Sequence, residues 1–182
     1  MGMEAVTPLP AAVGASSLSE NEFESFYRRC SRALWAYLRR MVGDAASAED
    51  LSQKAFIQIL RTPLRSHDEG ALRGLLYRVA TNLAIDEIRR RKREREGWLG
   101  MIGMGVRSDA ADMRHDVGRA FAKLKPKERA LLWLAHVEGF DHRELAEIAG
   151  VEAGSVRVLL FRARRRMANE LSAMGLGPEV LP

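Results

Sequence analysis

The sequence predicts an all-α protein in which two small helical domains are joined by a flexible linker. Apolar residues recur at intervals of three and four along most of the chain, which is the period of an amphipathic helix. The alternating β-branched residues that mark a strand are absent from the sequence. A chain of 182 residues is long enough for one domain or for two small ones, and the glycine-rich stretch 97–112 divides this chain in two.

The first predicted helix begins at Ser19, which forms a capping-box pattern with Glu22, and it ends at Gly43 and Asp44. Its predicted core stripe is Phe23, Tyr27, Cys30, Leu34, Tyr37 and Met41. Cys30 is the only cysteine, so an intrachain disulfide is excluded, and its position on the stripe favours a small core residue over a nucleophile.

The second predicted helix runs from about Ser47 to Arg61, where Thr62-Pro63 breaks it. The stripe expected to be buried is Ala48, Leu51, Ala55 and Ile59, and the residues expected on another side are Glu49, Asp50, Gln53, Ile57 and Leu60. This acidic and apolar side is interpreted in two ways: as a docking surface, or with Ile57 and Leu60 packed against the first helix.

The third predicted helix is long, from about Glu69 to Glu96, and is buried through Leu72, Leu76, Val79, Ala80 and Leu83. A second face carries Arg78, Asn82, Asp86, Arg89 and Arg93 within about 80° of arc. Beside the aromatic ring of Tyr77, these groups suit the edges and faces of unstacked bases. The alternative is an exposed face of Arg–Asp pairs with no binding role.

Five segments are predicted: a mobile tail at 1–18, a front domain at 19–96, the linker at 97–112, a back domain at 113–175 and a C-terminal tail at 176–182. The linker contains the apolar residues Trp98, Leu99, Met101, Ile102 and Met104. They are expected to dock either on a partner or on the protein itself.

The back domain is predicted to begin with helices near Met113–Lys123 and Pro126–Val137, with Pro126 in a first helical turn. Residues 141–172 then predict a helix-turn-helix, with a capping-box pattern at Asp141 and a left-handed turn at Gly150. The second helix has an apolar stripe of Val156, Leu160, Ala163, Met167 and Leu171, and an opposite face of Gly154, Arg157, Val158, Phe161, Arg162 and Arg165. Such a helix customarily lies in the major groove of DNA, whereas the plainer interpretation is a solvated basic face.

The charge of the chain is concentrated rather than spread. With net charge +5 and pI about 9.8, six basic residues fall within Arg89–Arg95 and five within Arg157–Arg166. Two basic clusters predict two contacts with phosphate, although an anionic membrane surface would attract them as well.

Several classes of protein are excluded or disfavoured by composition. No apolar run approaches the roughly 20 residues that span a bilayer, and the first 18 residues carry no basic residue, so a cytoplasmic protein without a secretory signal is expected. The four histidines lie at scattered positions, which predicts no metal site. Because no catalytic constellation or phosphate-binding glycine loop is present, we expect neither a cofactor nor enzymatic activity.

Three motifs in order resemble a known family: AEDLSQKAF at 48–56, LLYRVATNLAIDEIRRRKR at 75–93, and LKPKERALLWLAHVEGFDHRELAEIAGVEAGSVRVLLFRARRRM at 124–167. From about Phe23 to Leu171 the chain resembles a bacterial RNA polymerase sigma factor of the extracytoplasmic-function (ECF) subfamily of the sigma-70 family. The resemblance implies two helical domains and three partners: core RNA polymerase, promoter DNA and an anti-sigma factor.

The resemblance also implies roles for individual residues. It assigns core-polymerase binding to Glu49, Asp50, Gln53 and Phe56. It assigns the minus ten element to the loop 61–70 and to Arg78, Asn82, Asp86, Arg89 and Arg90, and the minus thirty-five element to Ser155, Arg157, Phe161, Arg162 and Arg165. Leu75, Thr81 and Leu159 depart from the residues that the family commonly has at those positions.

Two other classes fit parts of the sequence. A transcriptional regulator that binds duplex operator DNA without being a polymerase subunit would also carry the helix-turn-helix, commonly as a symmetric dimer, but it leaves the front domain without a role. A helical protein of the membrane surface could use the basic stretches on anionic lipid. It would not need arginines on a face separate from a packed core.

Overall fold

The computed structural model describes residues 18–63, 68–99 and 116–176, and within those ranges it contains seven helices and no strand. The front domain consists of α1 (Glu20–Val42), α2 (Ala45–Arg61) and α3 (Glu69–Leu99), and the back domain of α4 (Asp116–Lys123), α5 (Pro126–His136), α6 (His142–Ala149) and α7 (Ala153–Ser172). The all-α prediction is confirmed. Residues 1–17, 64–67, 100–115 and 177–182 lie outside the described residues, and with them the predicted tails and most of the predicted linker.

Local sequence explains where α1 begins and ends. The Ser19 side chain accepts a hydrogen bond from the Glu22 amide, and the Glu22 carboxylate accepts one from the Ser19 amide at 2.8 Å, which completes the capping box. Gly43 ends the helix at φ 90°, a left-handed conformation that costs a residue with a side chain considerable energy. Both ends lie where the sequence predicted them.

The next helix starts two residues earlier than predicted. Asp44 ends the turn after α1 and also caps α2, because its carboxylate accepts a hydrogen bond from the Ser47 amide at 2.8 Å. Ser47 therefore lies inside the first turn of α2. The third helix is longer than predicted, since α3 continues to Leu99 and so includes the first three residues of the expected linker.

The front-domain core is formed by α1, α2 and α3, each of which packs against the other two. It differs from the predicted stripes at several positions. The predicted Phe23 and Leu83 are only partly buried, whereas Ala84 and Ile85, which were not predicted, are buried. Phe26, which was not predicted, is buried, whereas the predicted Tyr27 is largely exposed. The other buried side chains include Cys30, Leu34, Tyr37, Met41, Ala48, Leu51, Ala55, Ile59, Leu72, Leu76, Val79 and Ala80.

The back domain is built around α7, which packs against α4, α5 and α6. Pro126 occupies the first turn of α5, as predicted. The Asp141 carboxylate accepts hydrogen bonds from the amides of Arg143 and Glu144, and Gly150 ends α6 at φ 63°. The helix-turn-helix prediction is confirmed in its capping and in its Gly150 turn.

The two domains are in contact with each other. α6 packs on α3, and α5 packs on both α1 and α3. This contact buries Tyr77, which the sequence had placed beside the exposed face of α3.

Candidate nucleic-acid and protein interfaces

The outward face of α7 carries all five residues that the resemblance assigned to the upstream element. Val156, Leu160 and Ala163 are buried beneath it. All five are exposed: Ser155, Arg157, Phe161, Arg162 and Arg165, with Phe161 60% accessible. Within the described residues, Arg157, Arg162 and Arg165 have no ion-pair partner. Their guanidinium groups can therefore contact phosphates or base edges without first breaking a bond in the protein.

The other two arginines of this cluster serve the fold. The Arg166 guanidinium pairs with the Glu128 carboxylate of α5 at 3.2 Å, and Arg164 donates to the His136 ring at 3.3 Å. Both contacts tie α7 to α5. The basic run therefore divides into three arginines that are free to bind a partner and two that position the helix.

The second face of α3 is also exposed, as the helical spacing predicted. Arg78, Asn82, Asp86, Arg89, Arg90 and Arg93 all lie at the surface. Arg89 approaches Asp86 at 3.6 Å. Arg90 donates hydrogen bonds to the Glu87 and Glu94 carboxylates, and these bonds raise its pKa. Arg90 must therefore exchange these carboxylates for phosphate if it binds DNA. Arg78 and Arg93 make no ion pair among the described residues.

Tyr77 does not belong to this face. The sequence placed its ring beside the polar groups as a stacking surface for bases, but the residue is only 1% exposed. Its ring lies 5.4 Å from the ring of Tyr37 and 5.2 Å from that of Phe140, measured between centroids. Stacking of a base on Tyr77 is excluded in this conformation, because the back domain covers the ring.

Thr81, next to the exposed Asn82 in α3, is one of the three departures from the family pattern. It is buried, and its hydroxyl donates to the Tyr77 carbonyl at 2.6 Å and bonds the Tyr37 hydroxyl at 2.7 Å. Leu75 and Leu159, the other two departures, are partly buried against the core. All three residues contribute to packing rather than to the exposed faces.

Arg91 has a structural role that the sequence reasoning missed. It was counted with the basic run, but its guanidinium bonds Glu87 at 2.6 Å, Asp44 at 2.7 Å and the Ser47 hydroxyl. These contacts fasten α3 to the turn between α1 and α2. The only signal in the sequence was the i, i+4 spacing of Glu87 and Arg91.

The side of α2 that was predicted to dock a partner is exposed. Glu49, Asp50 and Gln53 all lie at the surface, with a hydrogen bond of 3.0 Å from Gln53 to Glu49. Ile57 and Leu60 are exposed as well, so the alternative in which they pack against α1 is wrong. Acidic and apolar groups therefore share one accessible surface, which we call the α2 face.

Phe56 is not part of the α2 face. The resemblance grouped it with the polymerase-binding residues, but it is only 3% exposed and its ring lies 4.7 Å from that of Tyr27. It also contacts the rings of Phe23 and Phe26 edge to face. Direct contact between Phe56 and a partner is therefore excluded in this conformation. Its ring packs between α2 and α1, on the buried side of the helix that carries the exposed residues of the α2 face.

The remaining reactive groups fit structural roles. Cys30 is buried, and burial raises the pKa of its thiol, which disfavours the reactive thiolate. Among the described residues no cluster of three His, Cys, Asp or Glu side chains could hold a metal ion; His67 and His115 lie outside those residues. The described helices include none that is long and apolar enough to cross a membrane.

Comparison with known proteins identifies both domains. Residues 26–94 match the family model of sigma-70 region 2, and residues 114–167 match that of sigma-70 region 4. The RNA polymerase sigma-E factor of Streptomyces coelicolor is 31% identical over 163 residues, which cover 88% of this chain and 92% of that protein. The ECF RNA polymerase sigma factor SigE of Mycolicibacterium smegmatis is 28% identical over 82% of this chain, but the match spans only 62% of that longer relative.

A solved structure has the same fold. It is the sigma factor RpoE of Bartonella quintana, crystallised with the anti-sigma factor NepR, with a TM-score of 0.63 at 22% identity over 84% of this chain and 98% of that one. The chain belongs to the ECF group of the sigma-70 family of RNA polymerase sigma factors. The alternative of a stand-alone helix-turn-helix regulator is set aside, because the front domain matches region 2 in its own right.

Proposed function

We propose that this chain is an alternative sigma factor that joins core RNA polymerase through the α2 face, recognises promoter DNA through α3 and α7, and helps to open the strands. One observation supports the proposal above all. Three helices each bury an apolar stripe and leave the polar residues that match the family motifs at the surface. The chain thus has separate surfaces for an enzyme and for two stretches of DNA.

The α2 face suits a protein partner rather than DNA. Glu49 and Asp50 would repel phosphate, and the exposed Ile57 and Leu60 add an apolar area to the same surface. Among the described residues, Asp50 pairs with the exposed Lys54 at 2.6 Å, a contact that a partner's basic residue can replace at small cost. We assign polymerase binding to Glu49, Asp50 and Gln53, with Phe56 as the support beneath.

The α3 face suits single-stranded DNA at the minus ten element. Arg78, Arg89 and Arg90 supply positive charge, and Asn82 and Asp86 supply donors and acceptors for base edges. Extruding a base costs a few kcal/mol, which contacts of this kind must offset. The segment 61–70 is proposed to share this role; it is not a loop throughout, because Arg61 ends α2 and Glu69 begins α3, and residues 64–67 lie outside the described part of the chain.

The α7 face suits duplex DNA at the minus thirty-five element. A guanidinium group can bond guanine through two parallel hydrogen bonds, which contribute about 1–3 kcal/mol of discrimination. Arg157, Arg162 and Arg165 are candidates for such contacts, while Ser155 can bond a phosphate or a base edge. Phe161 presents an apolar ring that suits the methyl group of thymine.

Further parts of the proposal concern context. The domain limits 19–96 and 113–175, with a linker between them and tails outside them, fit the matched regions closely. We propose an anti-sigma factor as a second protein partner, since the structurally similar RpoE of Bartonella quintana was crystallised with one. The protein is proposed to work in the cytoplasm, at the nucleoid when active, and without catalytic activity or a cofactor of its own.

Transcription with purified components tests the central claim. The full chain is mixed with sigma-free core polymerase and a library of promoter fragments, and the start sites of the transcripts are mapped. Start sites at a defined set of promoters are expected. Background initiation on every template, without formation of a complex, would refute the proposal.

The division of labour between the surfaces has its own test. The double variant Asp50→Ala and Gln53→Ala should weaken association with core polymerase while leaving duplex binding by α7 unchanged. Gln58→Ala, exposed on the same helix but outside the α2 face, is the control. Equal loss of both activities in the double variant would argue against separate surfaces.

Specificity in the back domain is tested by Arg157→Ala. The variant should lose preference at one position of a randomised upstream element, with a change of about 1–3 kcal/mol at that position. Arg119→Ala on α4 removes the same charge from an exposed site of the same domain and should leave the preference unchanged. An unaltered preference in the Arg157 variant would remove Arg157 from the residues that read bases.

A further inference from the structure

The first helix, α1, carries a third concentration of positive charge, which lies outside the basic clusters of α3 and α7. Residues 25–43 contain five arginines and no lysine, aspartate or glutamate. At about 100° per residue, all five fall within about 120° of arc, on the side opposite to the buried stripe of α1. They are Arg28, Arg29, Arg32, Arg39 and Arg40. Arg39 is half-buried and the other four are exposed.

Two of these arginines have a role at the end of the helix. Arg39 and Arg40 lie in the last turn of α1, where positive charge interacts favourably with the helix dipole, and Arg39 also donates to the Gly43 carbonyl. Arg28, Arg29 and Arg32 lie earlier in the helix, outside the reach of this effect. Their presence needs another reason.

The contacts of these three arginines within the protein are few and weak. Arg28 pairs with Glu24 at 2.5 Å and Arg29 with Glu69 at 2.8 Å, between side chains that are all at least 49% exposed. Exposed ion pairs of this kind contribute little to stability. Arg32 makes no ion pair among the described residues. The fold therefore depends little on any of the three.

The basic cluster of α3 differs, because its own helix supplies acids. Arg90 pairs with both Glu87 and Glu94, and Lys92 pairs with Glu96. In α1 no carboxylate follows Glu24. Arginines three and four residues apart on one helix repel each other, so this unmatched set costs helix stability. A partner of opposite charge would relieve the repulsion.

We propose that Arg28, Arg29 and Arg32, which we call the α1 face, bind the phosphate backbone of duplex DNA without reading its sequence. This is a third contact with DNA, on a helix to which neither promoter element was assigned. Its place in a promoter complex rests on the proposed function. The contact adds affinity for DNA of any sequence.

The chemistry of the α1 face favours phosphate over bases. A guanidinium group matches phosphate oxygens through two parallel hydrogen bonds. Within α1, which is described throughout, no aromatic ring is available beside these arginines to stack a base: Trp35 is partly buried against the core, and the Tyr27 ring lies against Phe56 on the side of α2. No amide side chain lies among the three arginines to read a base edge.

Duplex DNA is the form that such a surface fits best. Because the α1 face offers charge alone, affinity depends on the charge density of the ligand. Duplex DNA carries one negative charge per about 1.7 Å of its axis, twice the density of either strand alone. Arg28 and Arg32, one turn apart, span about 6 Å of the helix and can therefore reach more than one phosphate.

Paired substitutions in the full chain test the proposal. Arg28→Gln with Arg32→Gln removes two charges from the α1 face, and Arg28→Lys with Arg32→Lys keeps them. The matched control is Arg119→Gln with Lys123→Gln on α4, which removes two charges at the same i, i+4 spacing from side chains 58% and 53% exposed. Circular dichroism confirms the helical content of every variant before it is used.

The salt dependence of DNA binding by the chain alone is the main measurement. Fluorescence anisotropy gives the affinity for two labelled duplexes of unrelated sequence between about 50 and 200 mM salt. Each phosphate contact in a duplex contributes about 0.9 to the slope of log affinity against log salt concentration. Over that range the double Gln variant should therefore lose about tenfold less affinity than the native chain, equally on both duplexes. The Lys variant and the α4 control should keep the native slope.

Two further measurements separate this contact from other partners. Binding to a labelled single strand of one of the two sequences is measured in the same way. Association with core polymerase is measured for the native chain and for the double Gln variant. We expect the substitutions to change the salt slope more on the duplex than on the single strand and to leave association with core polymerase unchanged.

Four outcomes would overturn the proposal. A native slope in the double Gln variant would mean that the α1 face does not contact the duplex. An equal change in the α4 control would mean that net charge, and not this face, is responsible. A change confined to the single strand or to one duplex sequence would mean that bases are bound. Weaker association with core polymerase at an unchanged salt slope would mean that the face binds an acidic protein surface.

A failure of the proposed function is distinguishable from each of these results. It appears as the absence of specific transcripts when the native chain is mixed with core polymerase, whatever the salt slope. The slope is measured on the chain alone, so it reports on the α1 face independently of transcription.

Discussion

A buried pair of hydroxyl groups beneath the α3 face allows a sharp prediction about stability. Thr81 donates its single hydroxyl hydrogen to the Tyr77 carbonyl at 2.6 Å, so in the 2.7 Å contact with Tyr37 it must accept. Tyr37 is therefore the donor, and it is fully buried. Burial raises the pKa of Tyr37 despite the Thr81 hydrogen bond, which keeps its hydroxyl protonated.

The direction of the bond predicts unequal costs for the two truncations. Tyr37→Phe removes a donor while Thr81 keeps its own acceptor, so we expect a loss of about 1 kcal/mol in the free energy of unfolding. Thr81→Val keeps the shape but leaves the Tyr37 hydroxyl buried without an acceptor, so we expect a loss of about 2 kcal/mol. The double variant, Tyr37→Phe with Thr81→Val, should lose no more free energy of unfolding than Thr81→Val alone, which gives a coupling energy of about 1 kcal/mol between the two changes.

Urea unfolding of the full chain, followed by circular dichroism, measures these free energies. Thr62→Val is the matched control, because the Thr62 hydroxyl makes a similar bond to the Gln58 carbonyl at 2.7 Å near the surface. Thr62→Val should change the free energy of unfolding by no more than about 0.5 kcal/mol. Additive losses in the double variant, or a larger loss for Tyr37→Phe than for Thr81→Val, would refute the assigned direction of the hydrogen bond.

Three further changes have defined outcomes. The pKa of Glu87 is lowered by a hydrogen bond from Arg90 and by a second one from Arg91, which together outweigh burial. The pKa of Asp44 is also lowered: burial raises it, but hydrogen bonds from the Ser47 amide and from Arg91 outweigh that effect. Carboxylates with lowered pKa values stabilise the folded state above their unfolded pKa of about 4, so the free energy of unfolding should fall as the pH drops below that value. It should fall less steeply in Arg91→Met. Equal dependence of the free energy of unfolding on pH in the native chain and in the variant would contradict this. Leu160→Ala should cost about 2–5 kcal/mol in the back domain, and amide exchange should rise in α7 but not in α1. Gly43→Ala, at φ 90°, should cost about 1–2 kcal/mol in urea unfolding, and an unchanged midpoint would exclude strain at that turn.

Helix periodicity was sufficient to predict the exposed faces of α3 and α7. Asn82 and Arg157 lie at the surface because residues three and four apart share a side of a helix, and a buried stripe on one side leaves the other side free. Capping was predictable for the same reason, since Ser19 and Asp141 bond amides within three residues of themselves.

Periodicity failed where a second element covers a residue. Tyr77 was expected to face bases, but Phe140, which is distant in sequence, packs on its ring. Phe56 was grouped with the polymerase-binding residues, but the rings of α1 enclose it. Arg91 was counted in the basic cluster 89–95, which was expected to contact phosphate, but it pairs with Asp44. None of these partners lies within one helical turn, so spacing contains no information about them.

The sequence by itself determined the helices, the caps at Ser19 and Asp141, most of the apolar stripes and the family, because all of these depend on residues that are close along the chain or on motifs in order. Only the tertiary structure decided which arginines are free, which aromatic rings are covered, and that the back domain packs on α3. The physical reason is that long-range contacts such as the one between Arg73 and Glu138 join residues that nothing in the local sequence links. Their partners become evident only when the helices are packed together.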